Sequence, residues 1–203
     1  MFIIKEIFDR SMAFVGLCVL CPILVILYIL IWIKMPDGPV IFKQERVGKE
    51  GVLFTMYKFR SMTLGHNGPS ISVAGENRIT SFGAILRKYK LDELPELWNV
   101  LKGDMSFVGP RPDVPGYTDC LEGESREILC LKPGITGPAS LKYKNEEALL
   151  ASVENPYIYN DDVIFPDKVR INLNYLKSWC FWLDIKIIIC TLIGKDLDDP
   201  FLK

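Results

Sequence analysis

The sequence is poor in the residues and motifs on which many enzymes depend. Its single histidine, His66, excludes a Ser-His-Asp triad, a Cys-His pair and an HExxH zinc site. It contains neither a G-x-x-x-x-G-K-[ST] phosphate loop nor a G-x-G-x-x-G dinucleotide motif. An enzyme with this sequence must therefore work with carboxylates, cations and a bound metal ion.

Paired cysteines and an excess of charge are also missing. Of six cysteines only Cys18 and Cys21 are closely spaced, and both lie in an apolar run, which favours small apolar helix residues over a redox or zinc pair. A reducing, cytoplasmic location is therefore favoured for the polar part of the chain. The net charge of −1 gives no reason to expect nucleic acid as a partner.

One long apolar run is present. The 23 residues of Ser11–Ile33 carry no charge, and about 20 such residues cross a bilayer core. Pro22 at the midpoint predicts a kink, and basic residues flank both ends, which the positive-inside rule places in the cytoplasm. A re-entrant helix that bends at Pro22 and returns to the same face satisfies both flanks. A straight span that tolerates the proline is the open alternative.

The remaining chain predicts a compact polar domain. Residues 40–47 and 52–59 predict a β-hairpin, and residues 64–78 predict a loop. Helices are predicted for residues 82–90, 93–101 and 145–153, with little other structure between 145 and 170. The apolar stretch Tyr175–Ile193 predicts a helix lying on the membrane, with Trp179, Phe181 and Trp182 at headgroup depth. A core helix is the alternative for this stretch.

These elements predict a mostly helical α/β fold. We expect residues 1–36 to form a re-entrant membrane anchor. Residues 37–203 would form a compact cytoplasmic domain with a small β-hairpin and interfacial amphipathic helices, including the C-terminal one.

The densest polar segment contains Asp92 and Glu93. Pro95 fits a helix only in its first turn, so the helix is predicted to begin near Asp92 or Glu93 and to bury Leu94, Leu97 and Leu101. Asp92 would then simply cap the helix in the plainest interpretation. Alternatively, a helix N-terminus attracts phosphate and keeps a carboxylate ionised. An ionised aspartate beside phosphate and Mg²⁺ is a candidate nucleophile on phosphorus.

Several cations are candidate phosphate ligands. Arg87 precedes the acidic pair, Arg60 follows the predicted second strand, and Arg111 is stiffened by a proline on each side. The turn Pro133–Gly137 contains two glycines, which would let the backbone approach a ligand.

Together these segments resemble the bacterial monotopic phosphoglycosyl transferases. The resemblance is carried by Asp9-Arg10, Pro22, residues 42–48, residues 57–62, the long block 91–112 and the turn Pro133–Gly137. It implies a bacterial inner (cytoplasmic) membrane enzyme that uses Mg²⁺ and faces the cytoplasm. By this resemblance Asp92 attacks the β-phosphate of a UDP-sugar, UMP leaves, and undecaprenyl phosphate then takes the phosphosugar from the enzyme.

The resemblance also implies roles for individual residues. Glu93 would hold the metal with Asp92 or activate the acceptor, and Lys58, Arg87 and Arg111 would bind phosphates. The family usually has Gln and Arg after the turn where this sequence has Ser140 and Lys144. Lys144 would also bind phosphate, but lysine lacks the planar fork with which arginine binds phosphate in a bidentate manner. Pro22 follows Cys21 where serine is usual.

Two other functions are compatible with the same residues. One is a membrane-anchored metal phosphohydrolase, which would use Asp92 and Glu93 with water as acceptor. The other is a non-catalytic membrane scaffold. The expected partners are a UDP-sugar, undecaprenyl phosphate and the lipid bilayer, with downstream glycosyltransferases and a second copy of the chain as candidate protein partners.

Overall fold

The computed structural model describes residues 3–63 and 79–197, so the predicted loop at 64–78, with His66, lies outside the described residues. These residues fall into two compact units. The first contains residues 3–45, 55–63 and 79–103, and the second contains 46–54 and 104–197. The predicted boundary after residue 36 stays a prediction about which part of the chain enters the bilayer.

Helix α1, Ile3–Lys34, is the predicted apolar helix. Its 32 residues run without interruption through Pro22, which gives a length of about 48 Å. In the described part of the chain it is the one helix long and apolar enough to cross a membrane, and only 11% of its most apolar stretch is buried. A helix so exposed is unlike the core helix of a soluble protein. The presence of the helix is confirmed, and its membrane topology stays a prediction.

Short elements follow α1 in the chain. Strands β1, Ile41–Val47, and β2, Leu53–Phe59, form the predicted two-stranded hairpin. Helix α2, Ser81–Lys88, is capped at its N-terminus by the Thr80 hydroxyl, which accepts a hydrogen bond of 2.9 Å from Gly83 N. Helix α3, Glu96–Lys102, ends at Gly103 in the left-handed conformation (φ 94°) that glycine adopts readily.

The start of α3 differs from the prediction. Leu91–Glu93 forms a separate 3₁₀ turn, and Pro95 immediately precedes the helix. Lys90, in the left-handed region (φ 55°), precedes this turn. The helix begins at Glu96 rather than near Asp92 or Glu93 as predicted, so that prediction is wrong and Asp92 is not its N-cap.

Both halves of α1 pack on other elements of the first unit. On the C-terminal side of Pro22, Leu27 and Ile31 belong to a buried cluster against which Leu91 and Leu94 pack. On the N-terminal side, α1 lies against α3: a Cβ added at Gly16 would meet Leu97 Cδ1 at 3.5 Å, and one at Gly103 would lie 2.4 Å from Arg10 Nη2. The segment from residue 91 to residue 103 therefore contacts α1 on both sides of the proline.

The second unit contains a small parallel sheet that the sequence did not predict. Strand β3, Ser106–Val108, pairs with β4, Gly134–Thr136. A Cβ at Gly134 would lie 2.2 Å from the Gly109 amide nitrogen, and one at Gly137 would lie 2.2 Å from the Gly109 carbonyl oxygen. The predicted turn Pro133–Gly137 thus contains strand β4. Its two glycines allow the backbone of Gly109 to lie close by, rather than a ligand.

This close approach predicts the effect of a single methyl group. Gly134→Ala should lower the free energy of unfolding by about 3 kcal/mol, because its Cβ collides with rigid backbone. Gly16→Ala is the matched control, since its Cβ would make an ordinary contact of 3.5 Å with a side chain. Urea unfolding in detergent measures both variants. Equal stabilities would contradict the packing described here.

The rest of the second unit is helical. The helices are α4 Pro138–Lys142, α5 Glu146–Ala151, α6 Pro156–Tyr159, α7 Phe165–Ser178 and α8 Phe181–Ile193, with a π-helical turn at Asn160–Ile164. The helix predicted at 145–153 is confirmed as α5. The prediction of little other structure up to residue 170 is wrong, and the apolar stretch predicted as one helix is divided between α7 and α8.

Trp179 and Trp182, near the break between α7 and α8, have different environments. Trp179 is 9% exposed, and its Nε1 donates a hydrogen bond of 3.1 Å to Asp184 Oδ2. Its predicted place at headgroup depth is wrong, because it is a core residue. Trp182 and Leu192 on α8 are 76% and 80% exposed. The prediction that α8 lies at the membrane surface therefore rests on these side chains and remains untested.

Candidate active site

The polar residues of the first unit meet where α2 ends and α3 begins. Leu91 and Leu94 pack against the buried cluster that includes Leu27 and Ile31. These leucines fix the 3₁₀ turn on the core, and the turn carries Asp92 between them. Hydrophobic packing thus positions an acidic side chain within a buried environment.

Asp92 is 6% exposed, and its Oδ1 has no hydrogen-bond partner among the described residues. Burial, followed by the negative charge of Glu93, raises the pKa of Asp92, and the charges of Lys58, Arg87 and Lys90 act in the opposite direction. A buried carboxylate oxygen without a donor is costly unless it serves a purpose. A bound cation would compensate for the missing donor.

Lys58 lies between two carboxylates. Its Nζ is 3.0 Å from Glu93 Oε1 and 3.0 Å from Glu96 Oε1, and the three side chains are 15%, 11% and 3% exposed. Charge-assisted contacts at this depth are much less screened than surface pairs. The structure therefore brings together three predicted site residues, Lys58, Asp92 and Glu93. The charge of Arg87 acts on Asp92 from the end of α2.

Two buried residues of this site were not predicted. Glu96 is 2% exposed and Asn99 is fully buried, whereas the sequence suggested a leucine stripe on this helix. Asn99 Nδ2 donates a hydrogen bond of 2.7 Å to Thr55 O, and its Oδ1 accepts one of 3.1 Å from Tyr57 N. The available signal was the three-residue spacing of Glu93, Glu96 and Asn99, which places side chains on one helix face.

Arg60 has a different environment from the one predicted for a phosphate ligand. It is 4% exposed, and its guanidinium donates a hydrogen bond to the carbonyl oxygen of Met35, just beyond the end of α1. Its backbone N–H donates to Val40 O at 2.9 Å. These contacts give Arg60 a structural role in the first unit, and we leave it out of the proposed phosphate-binding set.

Arg111 and Lys144 belong to the second unit. Arg111 is exposed, and its charge, with those of Lys168 and Arg46, partly offsets the burial that raises the pKa of Asp113 to about 6. Lys144 is exposed and donates a hydrogen bond of 2.6 Å to Asp196. Phosphate binding by these two residues stays a prediction.

The donor set limits the kind of metal site that is conceivable. The described residues contain no group of three His, Cys, Asp or Glu side chains that could hold a metal ion by themselves. The unpartnered oxygen of Asp92, with Glu93 next in sequence, fits a shared site in which substrate phosphates complete the coordination. Mg²⁺ commonly binds in this way, with one or two carboxylates and several other oxygens.

Comparison with known proteins places this site in a family context. The chain matches the family described as Bacterial sugar transferase over residues 1–195. The chain belongs to the bacterial sugar transferases. Membership confirms the family suggested by the block at 91–112, which contains the acidic pair and the start of α3.

Individual relatives show how widely the family varies in length. The chain is 36% identical over 196 residues to "Uncharacterized sugar transferase EpsL" of Bacillus subtilis (strain 168), covering 96% of this chain and 88% of that protein. It is 36% identical over 197 residues to a "UDP-glucose:undecaprenyl-phosphate glucose-1-phosphate transferase" of Xanthomonas campestris pv. campestris, covering 93% of this chain and 38% of that protein. An Escherichia coli (strain K12) protein of the same name is 34% identical, with coverages of 94% and 39%. The chain therefore spans about two fifths of these longer relatives.

Proposed function

We propose that this protein transfers a phosphosugar from a UDP-sugar to undecaprenyl phosphate, as a first membrane step of polysaccharide or glycoconjugate assembly. The observation that carries the proposal is the buried Asp92 carboxylate, with an unpartnered oxygen, close to the charges of Lys58 and Arg87. The printed names of relatives from Xanthomonas and Escherichia coli, which describe this reaction for glucose 1-phosphate, support it.

The proposed reaction has two displacements at one phosphorus atom. An Asp92 carboxylate oxygen forms a bond to the β-phosphorus of the UDP-sugar, and the bond from that phosphorus to the bridging oxygen breaks, releasing UMP. A phosphate oxygen of undecaprenyl phosphate then bonds to the same phosphorus and the aspartyl oxygen leaves. The free carboxylate is regenerated, and the lipid carries the sugar on a diphosphate.

The surrounding residues have distinct tasks in this proposal. The charges of Lys58 and Arg87 favour the ionised form of Asp92 and attract the diphosphate. Burial limits the access of water, which would otherwise hydrolyse the acyl phosphate. Asp92 and Glu93 would hold Mg²⁺ together with substrate phosphates, and the ion would supply neutralisation of the charge on those phosphates.

A screen of UDP-sugars with undecaprenyl phosphate and Mg²⁺ tests the reaction. We expect UMP release and a lipid-linked sugar diphosphate with at least one donor, measured by a UMP-coupled assay and by chromatography of the lipid products. A metal phosphohydrolase would instead release free sugar phosphate without any lipid product. A scaffold would release no UMP with any donor.

We also propose that α1 is re-entrant rather than a full span. The contacts near Arg10 and Ile31 are separated by about 32 Å along a straight helix, which is close to the thickness of a bilayer core. Residues 91–103 nevertheless contact α1 on both sides of Pro22. A helix that crossed the bilayer completely would separate one of these contacts from the cytoplasmic domain.

Site-directed labelling distinguishes the two topologies. In a cysteine-free background, Ile4→Cys and Asp37→Cys, both at exposed positions flanking the apolar run, should react with an impermeant maleimide from the same side of sealed vesicles. The control is a cysteine at Lys177, an exposed residue of the cytoplasmic domain. Labelling of the two flanks from opposite faces would contradict the re-entrant arrangement.

A further inference from the structure

Asn99 occupies the free edge of strand β2. The described sheet has only two strands, so β2 pairs with β1 on one edge and has unpaired backbone groups on the other. The carbonyl of Thr55 and the N–H of Tyr57 point to the same side of the strand, as the groups that meet a neighbouring strand do. The Asn99 amide bonds to both, at 2.7 and 3.1 Å. It therefore substitutes for a partner strand at this point and ties β2 to α3.

Glu96 makes the second connection between the same two elements. It lies one turn before Asn99, so both side chains project from the face of α3 that meets β2. Glu96 Oε1 is 3.0 Å from the Nζ of Lys58, the residue that directly follows Tyr57. Asn99 thus fixes the backbone from which Lys58 extends, while Glu96 contacts the ammonium group at its tip.

From these contacts we infer that Asn99 and Glu96 are positioning residues, which together fix the Lys58 ammonium group beside the Asp92–Glu93 pair. This inference rests on the proposed function, because it assigns Lys58 a task in phosphate transfer. Neither residue touches the reacting atoms. Their effect is to keep a flexible lysine side chain from pairing with Glu93 alone, which would move its charge relative to the phosphate.

The burial of this arrangement supports a positioning role. Asn99 is fully buried and the Glu96 side chain is 3% exposed. A carboxylate is expensive to bury unless it is paired, and leucine or alanine would serve a helix core without that cost. Asn99 likewise satisfies two backbone groups at a strand edge.

Two isosteric variants test the inference in the full-length protein. Glu96→Gln removes the charge that contacts Lys58, and Asn99→Asp removes the donor to Thr55. Each should lower kcat for UMP release roughly tenfold and change KM for the UDP-sugar much less, because the lysine is displaced rather than lost. Lys177→Met, which breaks an exposed ion pair with Glu124, is the control and should keep the wild-type kcat.

A double-mutant cycle separates positioning from a general structural role. If Glu96 acts through Lys58, Glu96→Gln should have no further effect on kcat in a Lys58→Met background, and the same holds for Asn99→Asp. Losses that persist undiminished in that background would overturn the inference. Should Asn99→Asp fail to fold, the Glu96 cycle decides alone.

The outcomes also distinguish this inference from the proposed function. An active wild-type protein whose Glu96→Gln variant keeps full kcat would overturn only the positioning role. A wild-type protein that releases no UMP with any UDP-sugar would overturn both.

Discussion

Asp92→Asn should reduce UMP release by about 10³-fold or more, because the amide has no negative charge with which to attack phosphorus. The wild-type protein, incubated with UDP-sugar and Mg²⁺ but no lipid acceptor, should gain the mass of a phosphosugar at Asp92. Asp92→Asn should gain none. Acid quenching followed by mass spectrometry of the intact protein and its peptides measures this adduct, while a UMP-coupled assay measures the first step separately.

Asp184 provides a matched control for this substitution. It is 2% exposed and accepts hydrogen bonds from Tyr175 and Trp179, so it is also a buried aspartate. Asp184→Asn should retain UMP release in the fraction of protein that remains folded. If Asp92→Asn released UMP at the wild-type rate, or if the adduct formed at another residue, the proposed covalent chemistry would be wrong.

Lys58→Met should lower kcat/KM for the UDP-sugar about 10²-fold, the cost typical of losing one electrostatic contact to the transition state. Lys58 contacts Glu93 and Glu96 at 3.0 Å, and among the neighbouring cations its charge has the largest lowering effect on the raised pKa of Asp92. The substitution therefore removes attraction for the diphosphate and also disfavours the ionised nucleophile. Initial rates of UMP release at several UDP-sugar concentrations measure the effect.

Stability must be separated from catalysis in this variant, since Lys58→Met leaves two buried carboxylates without their shared cation. Lys58→Met combined with Glu96→Gln removes one of these carboxylates, so it should recover stability in urea unfolding without recovering UMP release. Recovery of both properties together would mean that Lys58 contributes only to folding.

The elements predicted correctly are those with strong local signals. Ser11–Ile33 is a long apolar run without a charge, which is the signal of a membrane helix, and the hairpin strands are separated by the glycines at 48 and 51. The sheet of β3 and β4 could not be predicted in this way, because its three-residue strands come from distant parts of the chain. In the sequence, Gly134 and Gly137 indicate only a turn. Their close contact with the backbone of Gly109 is visible only in the folded structure.

For the candidate site, the sequence indicated several of the residues but not the contacts that they make. It pointed to Asp92, Glu93, Lys58 and Arg87, which the structure places in one unit. It could not show that Arg60 turns to the carbonyl of Met35, because a lone arginine carries no local sign of its partner. Glu96 and Asn99 were overlooked because a leucine pattern dominates the segment and leaves no local reason to bury polar side chains.

The packing of α1 on both sides of Pro22 affects how the enzyme can be shortened. Leu27 and Ile31 of α1 share a buried cluster with Phe59 and Leu86, so α1 is part of the core of the first unit. Deleting α1 would expose this apolar cluster to water and create a surface that is prone to aggregation. A water-soluble version would therefore need another apolar element in place of α1 to cover this cluster.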